Sequence, residues 1–175
     1  NPAELPPGEL AVYIVDHFHE PLRRELPRLR AMAQRVAQVH GGHTPSLREV
    51  LEVFLGLEAE LTSHLLKEEQ ILFPAIAAIE SGYDGQMHLD GPIACMFHEH
   101  EDAGAALVRL RELTGGFVPP ADACNTYRAL FSGLAELEDS LHRHIHLENS
   151  VLFPAARGLA AAGPQVGSRL ALSAL

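Results

Sequence analysis

An eleven-residue pattern occurs twice in the chain, as HLLKEEQILFP from His64 and as HIHLENSVLFP from His144. Each copy sets a histidine four residues before a glutamate, His64 with Glu68 and His144 with Glu148. On a helix, residues four apart lie one above the other, with Cβ atoms about 5–6 Å apart. An imidazole and a carboxylate so placed can hold one cation together. Two copies on two helices supply half of a two-metal site, which constrains the chain towards a helical bundle with metal-binding groups inside.

Proline and glycine divide the sequence into four long periodic segments. The first covers about 8–40 and stops at Gly41-Gly42, with an inward stripe of Val15, His19, Leu22, Leu26, Leu29, Ala33, Val36 and His40. Within it, Pro21 and Pro27 each remove a backbone donor and favour a kink. The second opens after Pro45, where Ser46 as N-cap and Glu49 three residues on form a capping box. Its stripe is Val50, Phe54, Leu57, Leu61, His64, Glu68 and Ile71, and Pro74 marks its end. The loop SGYDGQMHLDGP leads to the third, whose stripe is Ile93, Phe97, His100, Gly104, Leu107 and Arg111 before Gly115-Gly116. The fourth follows Pro119-Pro120, with Leu130, Leu134, Leu137, Leu141, His144, Glu148 and Val151, and ends at Pro154.

Alternating steps of three and four mark helices that bury one face. Four of them predict an all-α, antiparallel up-down-up-down four-helix bundle. The expected organisation is one domain over residues 1–175, the bundle at about 8–156 and a small-residue-rich, partly helical tail at about 157–175.

The polar members of the stripes share one level of such a bundle. His19 and His100 lie some eight to ten residues into the first and third segments, while His64 and His144 lie ten before Pro74 and Pro154. In an antiparallel bundle, the starts of odd helices and the ends of even ones share an end. His19, His64, Glu68, His100, His144 and Glu148 therefore fall in one layer. One histidine on a stripe is most simply a hydrogen-bonded core residue, and one HxxxE an exposed pair. Six such groups together differ, because each buried carboxylate without a cation costs several kcal/mol.

Imidazole with carboxylate suits iron, zinc or manganese. Four histidines and two glutamates give each of two metals two imidazoles, with both carboxylates free to bridge; an oxo or hydroxo bridge then leaves an open position on each. Ferritin-like di-iron proteins use Glu-x-x-His, and no histidine here has a glutamate three residues before it. Glu60 and Glu99 are candidates for hydrogen bonds to ligand imidazoles. His17, His98, His142 and His146 point outward, and His43 and His88 lie in loops. His40 lies 21 residues beyond His19, about 31 Å along a straight helix. It is expected outside the site, capping the first helix's C-terminus.

A net charge of −10 with a single lysine argues against nucleic acid and anionic membrane surfaces as partners. No apolar run approaches the 18 or so residues of a membrane span, and no secretory signal is visible. Cys95 and Cys124 form no CxxC and no disulfide framework.

The stretches HEPLRRELPRL, VHGGHTPSLREVL, ELTSHLLKEEQILFPAI, EHEDAGAAL, PPADACNTYRAL and HIHLENSVLFP resemble the hemerythrin-like superfamily. HxxxE with LFP is shared widely in that superfamily; EHEDAG and PPADAC point within it to the Repair of Iron Centres (YtfE/ScdA-like) family. The resemblance implies a cytoplasmic non-haem di-iron protein of the nitrosative and oxidative stress response. Such proteins support the repair of damaged iron–sulfur proteins, with iron donation as one route. They also bind NO, and reduction of NO to nitrous oxide is the enzymatic option. Carried over, the metal ligands are the same six residues, with Glu68 and Glu148 bridging two iron ions. No adjacent cysteine pair, of the kind found in the family's N-terminal domain, occurs in the sequence. An oxygen-binding or sensing module and an iron store are the alternative readings. Met96 and Gly104, four residues either side of His100, offer no fifth histidine of the oxygen-carrier kind.

Overall fold

A computed structural model of the chain describes residues 1–83 and 88–162. Of the expected loop at 81–92, residues 84–87 lie outside the described residues, as do residues 163–175 of the expected tail. Within them the regular structure is helical: α1 (Pro7–Ile14), α2 (Glu20–His40), α3 (Ser46–Lys67), α4 (Phe73–Glu80), α5 (Asp90–Leu113), α6 (Asn125–Leu147) and α7 (Phe153–Ala162). Three wide π-helical turns, Val15–His19, Glu68–Leu72 and Glu148–Leu152, join α1 to α2, α3 to α4 and α6 to α7 without breaking the rod. Four rods result, with α3 packed on α2 and α5, and α2 on α6. This is the all-α bundle expected.

The second and fourth rods do not stop at Pro74 and Pro154; both continue as α4 and α7. A proline ring clashes with the carbonyl four residues earlier. For Pro21, Pro74 and Pro154 those carbonyls belong to His17, Gln70 and Ser150, each in the middle of a π turn. The wider turn absorbs the clash, so the helix survives. α5 has Asp102 rather than proline two residues past its histidine, and stays α-helical throughout.

Each π turn inserts one residue, which moves the stripe. Leu72 and Leu152 are buried where Ile71 and Val151 were expected, and Ile71 is exposed. Ile14 likewise replaces Val15, five residues before His19. On α5 the buried face is Ile93, Met96, His100, Ala103, Leu107 and Leu110; Phe97 and Gly104 are half-buried and Arg111 exposed. Arg111 instead pairs with Glu138 of α6.

Two apolar clusters fill the interior. The larger includes Leu22, Leu29, Phe54, Leu61, Leu107, Leu134 and Leu141. The smaller includes Leu10, Ile14, Phe73, Ile76, Ile93, Met96, Leu152 and Phe153. At the far end of the larger cluster, α5 stops where Gly115 and Gly116 take φ of 61° and 79°. The Gly116 N–H there donates to the Arg111 carbonyl at 2.8 Å, a glycine C-cap. The expected capping box on α3 does not form: Ser46 is already the first helical residue, and Glu49 accepts a bond from Arg109 of α5.

Candidate metal centre

Between the two apolar clusters, every rod turns a polar group inward. His19 and Glu148 end and begin π turns, as does Glu68, while His64, His100 and His144 sit on regular helix. All six are buried, with His19, Glu68 and Glu148 at 0% exposure. The structure thus brings together the six residues named from spacing, and it divides them into two halves.

In the first half, His19 Nε2 faces His144 Nε2 at 3.1 Å and Glu68 Oε2 at 3.4 Å. His144 Nε2 lies 2.8 Å from Glu148 Oε1. In the second, His64 Nε2 faces His100 Nε2 at 3.2 Å and Glu68 Oε2 at 3.4 Å. His100 Nε2 lies 3.2 Å from Glu148 Oε2. Each half offers two imidazoles, and both carboxylates reach both halves, Glu148 with one oxygen for each. Within each set of four donor atoms, all lie within 4.8 Å of one another.

The outer nitrogens settle the tautomers. His19 Nδ1 donates to Glu69 Oε1 at 2.7 Å, His64 Nδ1 to Glu99 Oε2 at 2.8 Å and His100 Nδ1 to Asn149 Oδ1 at 2.9 Å. Acceptors on the outside put the proton on Nδ1, so the Nε2 lone pairs point inward. Arg23 and Lys67 in turn hold Glu69 and Glu99. Phe73 stacks on His19 at 5.7 Å and Phe153 on His100 at 6.0 Å, walling the layer from below.

Lone pairs facing lone pairs need a cation or protons between them. Both Glu68 oxygens, Glu148 Oε2 and His144 Nδ1 are buried with no hydrogen-bond partner among the described residues. Burial, then the charge of Glu148, pushes the Glu68 carboxyl well above its ordinary range. Burial also opposes ionisation of Glu148, but His144 and His100 outweigh it and hold that carboxyl below its usual range. Burial, then the neighbouring His144, lowers His19 to about 4, and burial lowers His64. Two buried carboxylates with four imidazole nitrogens turned inward fit a pair of non-haem iron ions.

A cavity of about 420 Å³ opens onto this layer between α3, α5 and α6, reaching His64, His100 and His144 but not His19. Glu60 is exposed on its wall and, among the described residues, bonds none of the four imidazoles. Glu99 does, as expected. Glu69 and Asn149 do too, and sequence reasoning missed them. Their signal was present: each directly follows the glutamate of a repeat, and the π turn swings it towards the neighbouring rod. His40, the last residue of α2, stands far from the layer, with Nε2 3.4 Å from Cys124 Sγ and its ring on Tyr127.

Residues 10–156 match the model of the hemerythrin HHE cation-binding domain. The chain is 46% identical over 155 residues to an iron-sulfur cluster repair protein YtfE of Edwardsiella ictaluri, covering 89% of this chain and 68% of that protein. Proteins of the same name from Pectobacterium atrosepticum and Musicola paradisiaca are 42% and 43% identical, over 87% and 86% of this chain. The matches cover 67% and 66% of those two proteins, about two thirds of their length.

Proposed function

The chain belongs to the hemerythrin HHE cation-binding domain family, and from that premise we propose that it is a di-iron protein serving the repair of damaged iron–sulfur clusters. The observation that carries this reading is the doubled pocket of two imidazoles and two shared carboxylates with orphaned oxygens. Its relatives are named for iron–sulfur cluster repair, which supplies the repair role. In this reading His19, His64, Glu68, His100, His144 and Glu148 are the metal ligands of one bundle over about residues 8–156.

When bound, an iron pair supplies one-electron chemistry and open coordination for a diatomic ligand. The residues of the chain do the rest. Glu68, pushed up by burial and by Glu148, gives up its proton when a cation binds, so loading is favoured as pH rises. Glu69, Glu99 and Asn149 orient three imidazoles, an effect typically worth 10–100-fold in affinity. Phe73 and Phe153 exclude water from one side, while the cavity admits small molecules such as NO from the other. NO binding, with nitrous oxide as its reduction product, and donation of iron to cluster proteins are the two chemistries assigned. Among the described residues no helix is long and apolar enough to cross a membrane, which suits the cytoplasmic setting of this reading.

The first test is the iron content and near-ultraviolet spectrum of the protein purified from iron-replete cells. Two irons per chain are expected, with the near-ultraviolet absorption of the pair lost in His144→Ala and Glu148→Ala. Zinc or no metal would refute the reading. Anaerobic mixing of the reduced protein with NO should then yield nitrous oxide; a stable nitrosyl species without product removes the reductase half.

A further inference from the structure

The two halves of the layer share their donors but not their outer support. In the His64/His100 half, both imidazoles are held from outside, by Glu99 and Asn149. In the His19/His144 half, among the described residues, only His19 is held, by Glu69. His144 Nδ1 is buried with no partner, and beside that ring lies Phe18, stacked on it at 5.2 Å and 10°. Phe18 is the residue before His19, as Glu99 is the residue before His100. The chain position that supplies a carboxylate to His64 Nδ1 thus supplies, in the other half, a benzene ring that lies against the face of His144. We propose that the His19/His144 half holds its ion more weakly than the His64/His100 half and is the half that gives iron up.

The inference deepens the di-iron reading and rests on it. An imidazole whose Nδ1–H is bonded is fixed in tautomer and orientation and is the more basic ligand. Among the described residues no hydrogen bond to Nδ1 fixes the tautomer of His144, and the stacked phenyl of Phe18 sets only its ring plane. His144 also lines the cavity, so a competing ligand can reach it directly. His64 and His100 line the same cavity and His19 does not; access therefore does not single out the His19/His144 half, and outer support decides. Phe18 and Asn149 are positioning residues, acting through His144 and His100.

The test is anaerobic titration of the metal-free full chain with Co²⁺, followed by proton NMR of the shifted ring N–H signals and by chelator-driven release. Two binding steps alone follow from repulsion between cations, so the location of the first ion decides. At one equivalent, shifted signals of His64 and His100 are expected before those of His19, with the second ion bound about 10–100-fold more weakly. Asn149→Ala should weaken the first step by a similar factor and bring the steps together. Phe18→Glu, which restores a carboxylate beside His144, should tighten the second step and slow the fast phase of release. A first ion in the His19/His144 half, or steps that neither variant moves, overturns the inference while leaving the di-iron reading intact. A chain that binds no Co²⁺ at all overturns both.

Discussion

The His19/His144 half and the His64/His100 half of the layer are near copies in what points inward and unlike in what stands behind. Inward, each presents two Nε2 atoms just over 3 Å apart and one oxygen from each shared glutamate. Outward, one half uses Glu69 and the face of Phe18, the other Glu99 and Asn149. A repeated motif can therefore duplicate a donor set without duplicating its strength, because basicity and orientation come from neighbours on other rods.

The largest effect should abolish the comparison. Glu148 serves both halves, so Glu148→Ala is expected to empty both, taking iron from about two per chain to near none by elemental analysis. Retention of one tightly held ion would show that the halves assemble independently. Next come the two walls. Phe73→Ala and Phe153→Ala each remove a buried ring stacked on a ligand imidazole, at 6% and 0% exposure. Each should cost about 3–5 kcal/mol, read as a fall of the order of 10 °C in the Tm of the metal-free protein. A much larger loss for one would mark that half as the structural anchor.

Acid bears on both halves, since burial lowers His19 in one and His64 in the other. His19 titrates at about 4 in the folded chain, below the 6.5 of an exposed imidazole. The unfolded chain thus takes up that proton first as pH falls. Stability present above about pH 6.5 is lost between there and about 4, on the order of 3 kcal/mol. Metal-free His19→Asn should show a flatter slope across this window in denaturant titrations; an unchanged slope would place the sensitivity elsewhere. The smallest effect concerns the outermost charges. Arg23 and Lys67 are more than a third exposed, so Arg23→Met and Lys67→Met should each change metal affinity only a few-fold. High salt should erase the difference, and a salt-independent loss would give these residues a larger part than holding Glu69 and Glu99.

Much of this was legible in the residues. The HxxxE repeat, the glycine pairs at the helix ends and the three-four stripes led to an all-α bundle with six polar groups at one level. The same motifs pointed to the hemerythrin-like family that the domain match returns. Pro74 and Pro154 misled: they read as helix ends, whereas each lies two residues past a π turn inside a continuing rod. Ile71 and Val151 were misplaced for the same reason, since a stripe extrapolated at 3.6 residues per turn cannot register an inserted residue. Glu60, one turn before His64, fits the spacing of a supporting carboxylate as well as any other, but α3 turns it to solvent.

What local chemistry dictates, the amino-acid order already contained. An imidazole and a carboxylate four residues apart must share a helix face, and burying four imidazoles with two carboxylates demands a cation. Which outer group meets which imidazole was settled only on packing. Glu69 and Asn149 reach His19 and His100 across 50 and 49 residues, and Phe18 reaches His144 across 126. Such pairings depend on the rotation of each rod about its axis, and a single π turn shifts that rotation by one residue. The donor set is thus a property of short-range spacing, and the inequality of its halves a property of how four rods settle against one another.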